Sequence, residues 1–204
     1  EIIKNIFSKN SKNIFLVHQV HSSKFIYINK DHKIGVKKPK VDAIITNQKK
    51  LPIGILTADC VPLLIYDDSS KMIAAIHAGW KGAFKGIVNN VIKFMIKKGC
   101  KRKNIYAVIG PCISQKNYEV KEDFLKKFLK QNGHNKEFFK KRKNKVYFNL
   151  PKYVISQLKF NKIKAIDHIN IDTFDIKNNF FSARRSLKLK DDDYGRNISI
   201  IMVN

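Results

Sequence analysis

Residues 51–82 read LPIGILTADCVPLLIYDDSSKMIAAIHAGWKG. Between Val61 and His77, the apolar runs VPLLIY and KMIAAIH flank the turn-forming tetrad DDSS, the pattern of a β-hairpin. At the open end, Cys60 precedes the first strand and His77 closes the second, each where an apolar run gives way to small residues. At this level three readings of the two residues are open. They are a nucleophile and its base, two ligands of a metal, or ordinary residues of a buried hairpin. Pro62 cannot donate to a ladder, which suggests an edge or a bend there. Asp59 is harder to read as core, because an unpaired buried carboxylate costs several kcal/mol, so it needs a partner or a task.

Outward from the hairpin, residues 83–98 carry Ala83, Phe84, Ile87, Val88, Val91, Ile92, Met95 and Ile96 on one helical stripe, with Gly99 as a natural stop. Residues 104–110 form a strand entering a Gly-Pro loop, and 121–131 a helix. Asn149 is a good N-cap, with Pro151 in the first turn, for a helix reaching about Phe160. Further strands are expected at 14–20, 24–28, 41–46, in IKAIDHINI and in NISIIMV. Helices mixed with hairpins point to a mixed sheet in an α/β or α+β domain, and 204 residues suffice for one domain with a real core.

The formal charge of +25 invites a nucleic-acid reading. The excess is almost all Lys, scattered along every segment, and Arg occurs only five times. That pattern argues for a solvated basic surface rather than a nucleic-acid partner. Three Cys without CxxC spacing fit reduced thiols in a cytoplasmic setting. No apolar run is long enough to span a membrane, and the opening EIIKNIFSKN does not read as an export signal.

Other motifs carry chemistry only in company. IHAGWKGAFKG is a strand, a small-residue turn and a helix start, where the backbone lies open to close approach. In LVHQVHSS, His18 and His21 are three apart and would face opposite sides of a strand. AVIGPCISQKNYEV leads from a strand through a turn to Tyr118 and Glu119. In FFSARR and YGR, Arg184, Arg185 and Arg196 could hold a phosphate through forked hydrogen bonds.

Taken in order, QVHS (19–22), VDAIITN (41–47), TADCVPLLIYD (57–67), IHAGWKG (76–82), IGPCISQKNYEV (109–120), FFSARR (180–185) and YGR (194–196) resemble the YfiH-type laccase-domain family. That family is also described as multicopper polyphenol oxidase-like and as purine nucleoside phosphorylase. The resemblance implies an α+β fold, a four-layer α/β/β/α sandwich with two mixed sheets, in a single domain over residues 1–204. It implies a zinc ion, with copper as the alternative, held by His21, Cys60 and His77. Two imidazoles and a thiolate with one open position suit a catalytic rather than a structural zinc. The implied reactions are phosphorolysis of adenosine, inosine, guanosine and methylthioadenosine, and deamination of adenosine. Purine nucleosides and inorganic phosphate are then the partners of a monomer or weak homodimer. Arg184, Arg185 and Arg196 are candidates for the phosphate, and Asp59 for an acid/base or orienting role. A cysteine hydrolase using Cys60 and His77, acting for example on peptidoglycan precursors, remains open. Copper oxidation of phenols fits less well, since one His-Cys-His set is short of a multicopper cluster. The sequence departs from the family pattern with Lys81 in place of Arg, with Asp172-Thr173 in place of Cys-Thr, and by an expected lack of the N-terminal segment ahead of QVH.

Overall fold

A computed structural model of the chain describes residues 13–32, 37–191 and 193–204, so the stretch read for an export signal lies outside the described residues. Its centre is a six-stranded mixed sheet in the order β1 (Phe25–Ile28), β2 (Ala43–Thr46), β5 (Ile73–Ala78), β4 (Val61–Asp67), β6 (Ile105–Ile109), β10 (Ala165–His168). The β1–β2 and β6–β10 pairs are parallel and the three pairs between them antiparallel. The hairpin read from the sequence is thus the middle of the sheet. Its strands explain why: β5 is buried along its whole length, and its alanines let elements pack on both faces.

Strand alternation divides the core. Val61, Leu63 and Ile65 of β4 point into a cluster with the helices, whereas Leu64 and Tyr66 face the second cluster. That second cluster lies under a small sheet of β3 (Ile53–Thr57) and β11 (Asn197–Ile201), which pair antiparallel and are extended by parallel bridges at Phe15–Ile53 and Lys49–Val203. On the helical side lie α1 (Trp80–Phe84), α2 (Ile87–Lys97) and α4 (Leu150–Phe160). The fold is α+β with mixed sheets, as expected, and its helix, large-sheet and small-sheet layers are in place. No helix among the described residues is long and apolar enough to cross a membrane.

Several local expectations change. The helix expected at 83–98 is broken in two: α1 starts at Trp80, and Gly86, at φ +85°, ends it before α2. A left-handed residue at that point is what glycine permits, and it lets the α2 stripe turn onto the sheet. Residues 14–20 run extended, with Phe15 and Val17 buried, but make bridges only at Phe15 and His18 rather than a strand. Pro62 sits at no edge: it is in register with His77 at the end of a central strand, where a missing N–H spares the rest of the ladder. The sheet β7 (Glu119–Val120), β9 (Lys145–Phe148), β8 (Phe139–Arg142) was not expected. It closes an aromatic cluster of Phe128, Phe139, Phe148 and Tyr153 with α3 (Glu122–Gln131). The Asn149 cap is as read, with its side chain accepting from Lys152 N.

Candidate metal centre

Register brings the two halves of the opening motif together. Val61 pairs with Ala78 and Pro62 with His77, so Cys60 and Gly79 leave the hairpin side by side. His21 arrives from the loop before β1, in the left-handed region at φ 56°. That loop is tethered twice. Gln19 exchanges two hydrogen bonds with the backbone of Leu56, and Asp42 accepts from the N–H groups of Val20, His21 and Ser22. Cys60 Sγ then lies 3.9 Å from His21 Nε2, and the ligand atoms of His21, Cys60 and His77 all fall within 4.8 Å of one another. Two imidazoles and a thiolate brought together in this way are the donor types a zinc ion would take.

The residues present fit a metal on two further observations. A Cβ on Gly79 would stand 2.9 Å from both Cys60 Sγ and His21 Cδ2, so the site needs a residue without a side chain there. His77 is turned by Asp42, whose Oδ1 lies 2.9 Å from Nδ1. A carboxylate only accepts, so Nδ1 carries the hydrogen and Nε2 is left for the cluster. The sequence reading passed over Asp42, although it quoted the VDAIITN motif. The available signal was a carboxylate at the mouth of the largely apolar strand AIIT, and the structure buries it completely.

Electrostatics at the site follow from this packing. Burial alone would push the Cys60 thiol up, but hydrogen bonds from His21 and His77 and their charge outweigh it and bring it down to about 7. Burial would likewise lower His77, yet Asp42 and Cys60 together raise it to about 9. For Asp42, hydrogen bonds from His77 and Ser22 overcome burial and hold the carboxyl down at about 2. Cys112 has no such neighbours and burial pushes it up to about 12, so only Cys60 of these two is poised as a thiolate.

The cluster opens into a cavity of about 370 Å³ whose wall includes Gln19, Tyr194 and Arg196. Of the three arginines, Arg196 alone lines it. Its guanidinium stacks 3.9 Å from the Tyr194 ring centroid and bonds the Tyr194 and Gly195 carbonyls through Nη1. Arg185 is spent on the carbonyls of Thr173, Phe174 and Phe180, as a brace within the C-terminal segment. Arg184 bonds the Glu119 carbonyl and lies against Tyr118, lining a second hollow on the far side of Asp59 and Cys60. Asp59 is buried in the left-handed region at φ 79°, with one oxygen accepting from the Thr173 hydroxyl and the other from Arg184 N. It fastens the start of α5 (Ala183–Leu189) to the hairpin mouth. The Ser of FFSARR caps that helix, accepting from Arg185 N, which the sequence reading did not anticipate.

Comparison with known proteins gives this site its context. The family model described as multi-copper polyphenol oxidoreductase laccase matches residues 1–204. The chain belongs to that family. A purine nucleoside phosphorylase of Rickettsia prowazekii is 38% identical over 192 residues, 93% of this chain and 77% of that protein. One from Aquifex aeolicus is 35% identical over 156 residues, 75% of this chain and 68% of that protein. Among solved structures, the hypothetical protein YfiH of Bacillus licheniformis superposes on all of this chain and 79% of its own with a TM-score of 0.87, at 22% identity. A Neisseria meningitidis protein does so at 0.83 and 26% identity, over 100% of this chain and 78% of its own.

Within this laccase family member, the Asp172 departure has a visible structural consequence. Its carboxylate accepts from Ser114 N and Oγ, Asn117 Nδ2 and Phe174 N, knitting the 110–118 loop to the segment that carries Thr173. Lys81, where the family pattern has Arg, is exposed beside the Trp80 ring and takes no part in the metal cluster.

Proposed function

We propose that this protein is a zinc-dependent purine nucleoside phosphorylase acting on adenosine, inosine, guanosine and methylthioadenosine, with hydrolytic adenosine deamination as a second activity. The observation that carries the reading is the convergence of His21, Cys60 and His77 at the mouth of a cavity shared with Arg196. The 38% identity to a protein named purine nucleoside phosphorylase, over 93% of this chain, supports it. His21, Cys60 and His77 would hold the ion, which when bound supplies Lewis acidity to the site.

Phosphorolysis forms a bond between phosphate oxygen and C1′ while the C1′–N9 bond breaks and its electron pair leaves with the base. The chain must therefore position an anion near the sugar. Arg196 is suited to this, because only Nη1 of its five-donor fork is engaged among the described residues. Arg184 and Arg185 serve better as braces, since neither lines the cavity that the metal cluster opens into and each ties main-chain segments together through carbonyls. Asp59 has both oxygens engaged, which fits an orienting role rather than proton transfer.

A cysteine hydrolase reading is favoured by one feature, the sequence of thiol, imidazole and carboxylate from Cys60 through His77 to Asp42. The two readings part on chelation. Purified protein should release free base from adenosine or inosine only when phosphate is present. That activity should vanish in Cys60→Ala and after metal removal, and return with zinc. Hydrolysis that persists after chelation and stops on Cys60 alkylation would favour the hydrolase, and wild-type turnover in Cys60→Ala would overturn both.

A further inference from the structure

We propose that Asp42 is the positioning residue that sets both histidine ligands at once, fixing the hydrogen on His77 Nδ1 and the backbone that presents His21. The proposal rests on the metal-centred reading above and goes beyond it. Asp42 is fully buried at the start of β2 and meets five donors from two distant segments. His77 Nδ1 is 2.9 Å from Oδ1, which also accepts from His21 N at 2.9 Å and Val20 N at 3.1 Å. The other oxygen accepts from Ser22 N at 2.5 Å and Ser22 Oγ at 2.7 Å. In addition, the Asp42 carbonyl accepts from His77 N at 2.8 Å, so side chain and main chain grip the same strand end.

The geometry makes the two histidines interdependent. His21 holds a left-handed φ of 56°, a conformation a residue with a side chain keeps only when its surroundings enforce it. The enforcing contacts are three successive amides converging on one carboxylate, the same carboxylate that orients His77. An amide in its place offers one acceptor and one donor group, so it cannot receive all five hydrogens. Shape would be conserved while the two-sided anchor fails.

The test uses the 204-residue chain in metal-free and zinc-loaded forms, comparing wild type with Asp42→Asn and Ser22→Ala. Zinc affinity is read by competition with a chromophoric chelator, at a temperature where circular dichroism shows each variant folded. We expect Asp42→Asn to weaken zinc by roughly 10–100-fold and Ser22→Ala by less. In the metal-free protein, NMR should show a slowly exchanging Nδ1 proton on His77 and protected amides at Val20, His21 and Ser22, all lost in Asp42→Asn. A purely structural role predicts a lower melting temperature with unchanged zinc affinity in the folded protein, and that result overturns the proposal. Should Asp42→Asn fail to fold, the wild-type spectrum decides: a His77 ring without a proton on Nδ1 overturns it, and a proton on Nδ1 supports it whether or not Nε2 also carries one. Wild-type protein with the Nδ1 proton and protected amides but no zinc binding would sink the metal reading while leaving the Asp42 anchor standing.

Discussion

The hairpin at the centre of the sheet has a fully buried carboxylate near each end, and the two do different things. At the turn end, Asp67 accepts from Ser69 Oγ, Ser70 N, Ser70 Oγ and Lys101 N. At the open end, Asp42 accepts from Val20, His21, Ser22 and His77. Both carboxyls are held below the usual carboxylate range because hydrogen bonds outweigh burial. Three of the four donors to Asp67 come from its own turn and the fourth is the backbone N–H of Lys101, so its hydrogen bonds close the turn and pin it to the segment before β6, with no imidazole or thiol among the donors. The donors to Asp42 come from segments about 20 and 35 residues away, and one of them is an imidazole whose other nitrogen faces Cys60 and the cluster. The same physics makes a turn where most partners are local backbone and hydroxyl groups, and a site where all are distant and one is an imidazole.

The sharpest way to break this comparison is to delete each carboxylate. Asp42→Ala leaves a buried imidazole and three amides without an acceptor, and should cost about 3–5 kcal/mol of stability. Asp67→Ala should cost about 1–3 kcal/mol, since the serine hydroxyls can rotate to other partners. Equal losses in chemical denaturation would erase the distinction.

A smaller effect tests the open end alone. In Gly79→Ala the new methyl meets Cys60 Sγ and His21 Cδ2 at 2.9 Å and His77 Nε2 at 3.4 Å, so its nearest neighbours are the three cluster residues. Metal-dependent turnover should fall roughly 10²-fold while the melting temperature stays close to that of wild type. A large melting shift with turnover preserved would show that the glycine serves folding rather than the site.

The smallest and most local effect is on thiol chemistry in the metal-free protein. Cys60 has its folded value depressed to about 7, so its contribution to stability is present above the ordinary thiol range and is lost as pH falls through about 7. His77 is raised to about 9, so its contribution is present below the ordinary imidazole value of 6.5 and is lost as pH rises through about 9. Iodoacetamide should alkylate Cys60 with a half-maximal rate near pH 7, while Cys112, pushed up to about 12, stays unmodified. Mass spectrometry across pH 5–10 reads this directly. A Cys60 rate still climbing steeply at pH 9 would remove the case that the two histidines activate it.

Much of the fold was legible where short-range chemistry decides structure. The DDSS turn, the Asn149 cap with Pro151 behind it, and the apolar stripe of α2 all came out as read. The failures lie where local pattern and context part. Gly86 ended a helix whose stripe continued across it, and residues 14–20 have strand composition but find too few ladder partners. Strand β8, FKKR, is hidden by its basic, exposed residues, whereas β9, KVYF, is a four-residue strand whose short β-favouring run carries too little pattern to stand out. At the site, the ligand set was reached through the ordered motifs of the family rather than through the spacing of any one histidine. The arginines show the limit of that route, since adjacent Arg184 and Arg185 lie away from the cavity of the cluster while exposed Arg196 lines it.

By itself, the sequence determined the central hairpin, the mixture of strands and helices around it and a basic composition, because turn preferences, periodicity and side-chain chemistry are properties of short stretches. The residues able to bind a metal came with the ordered motifs of the family. Only the tertiary structure decided which carboxylate governs those residues. Asp42 and Asp67 are alike as letters, and they differ through the donors that folding delivers to each from elsewhere in the chain.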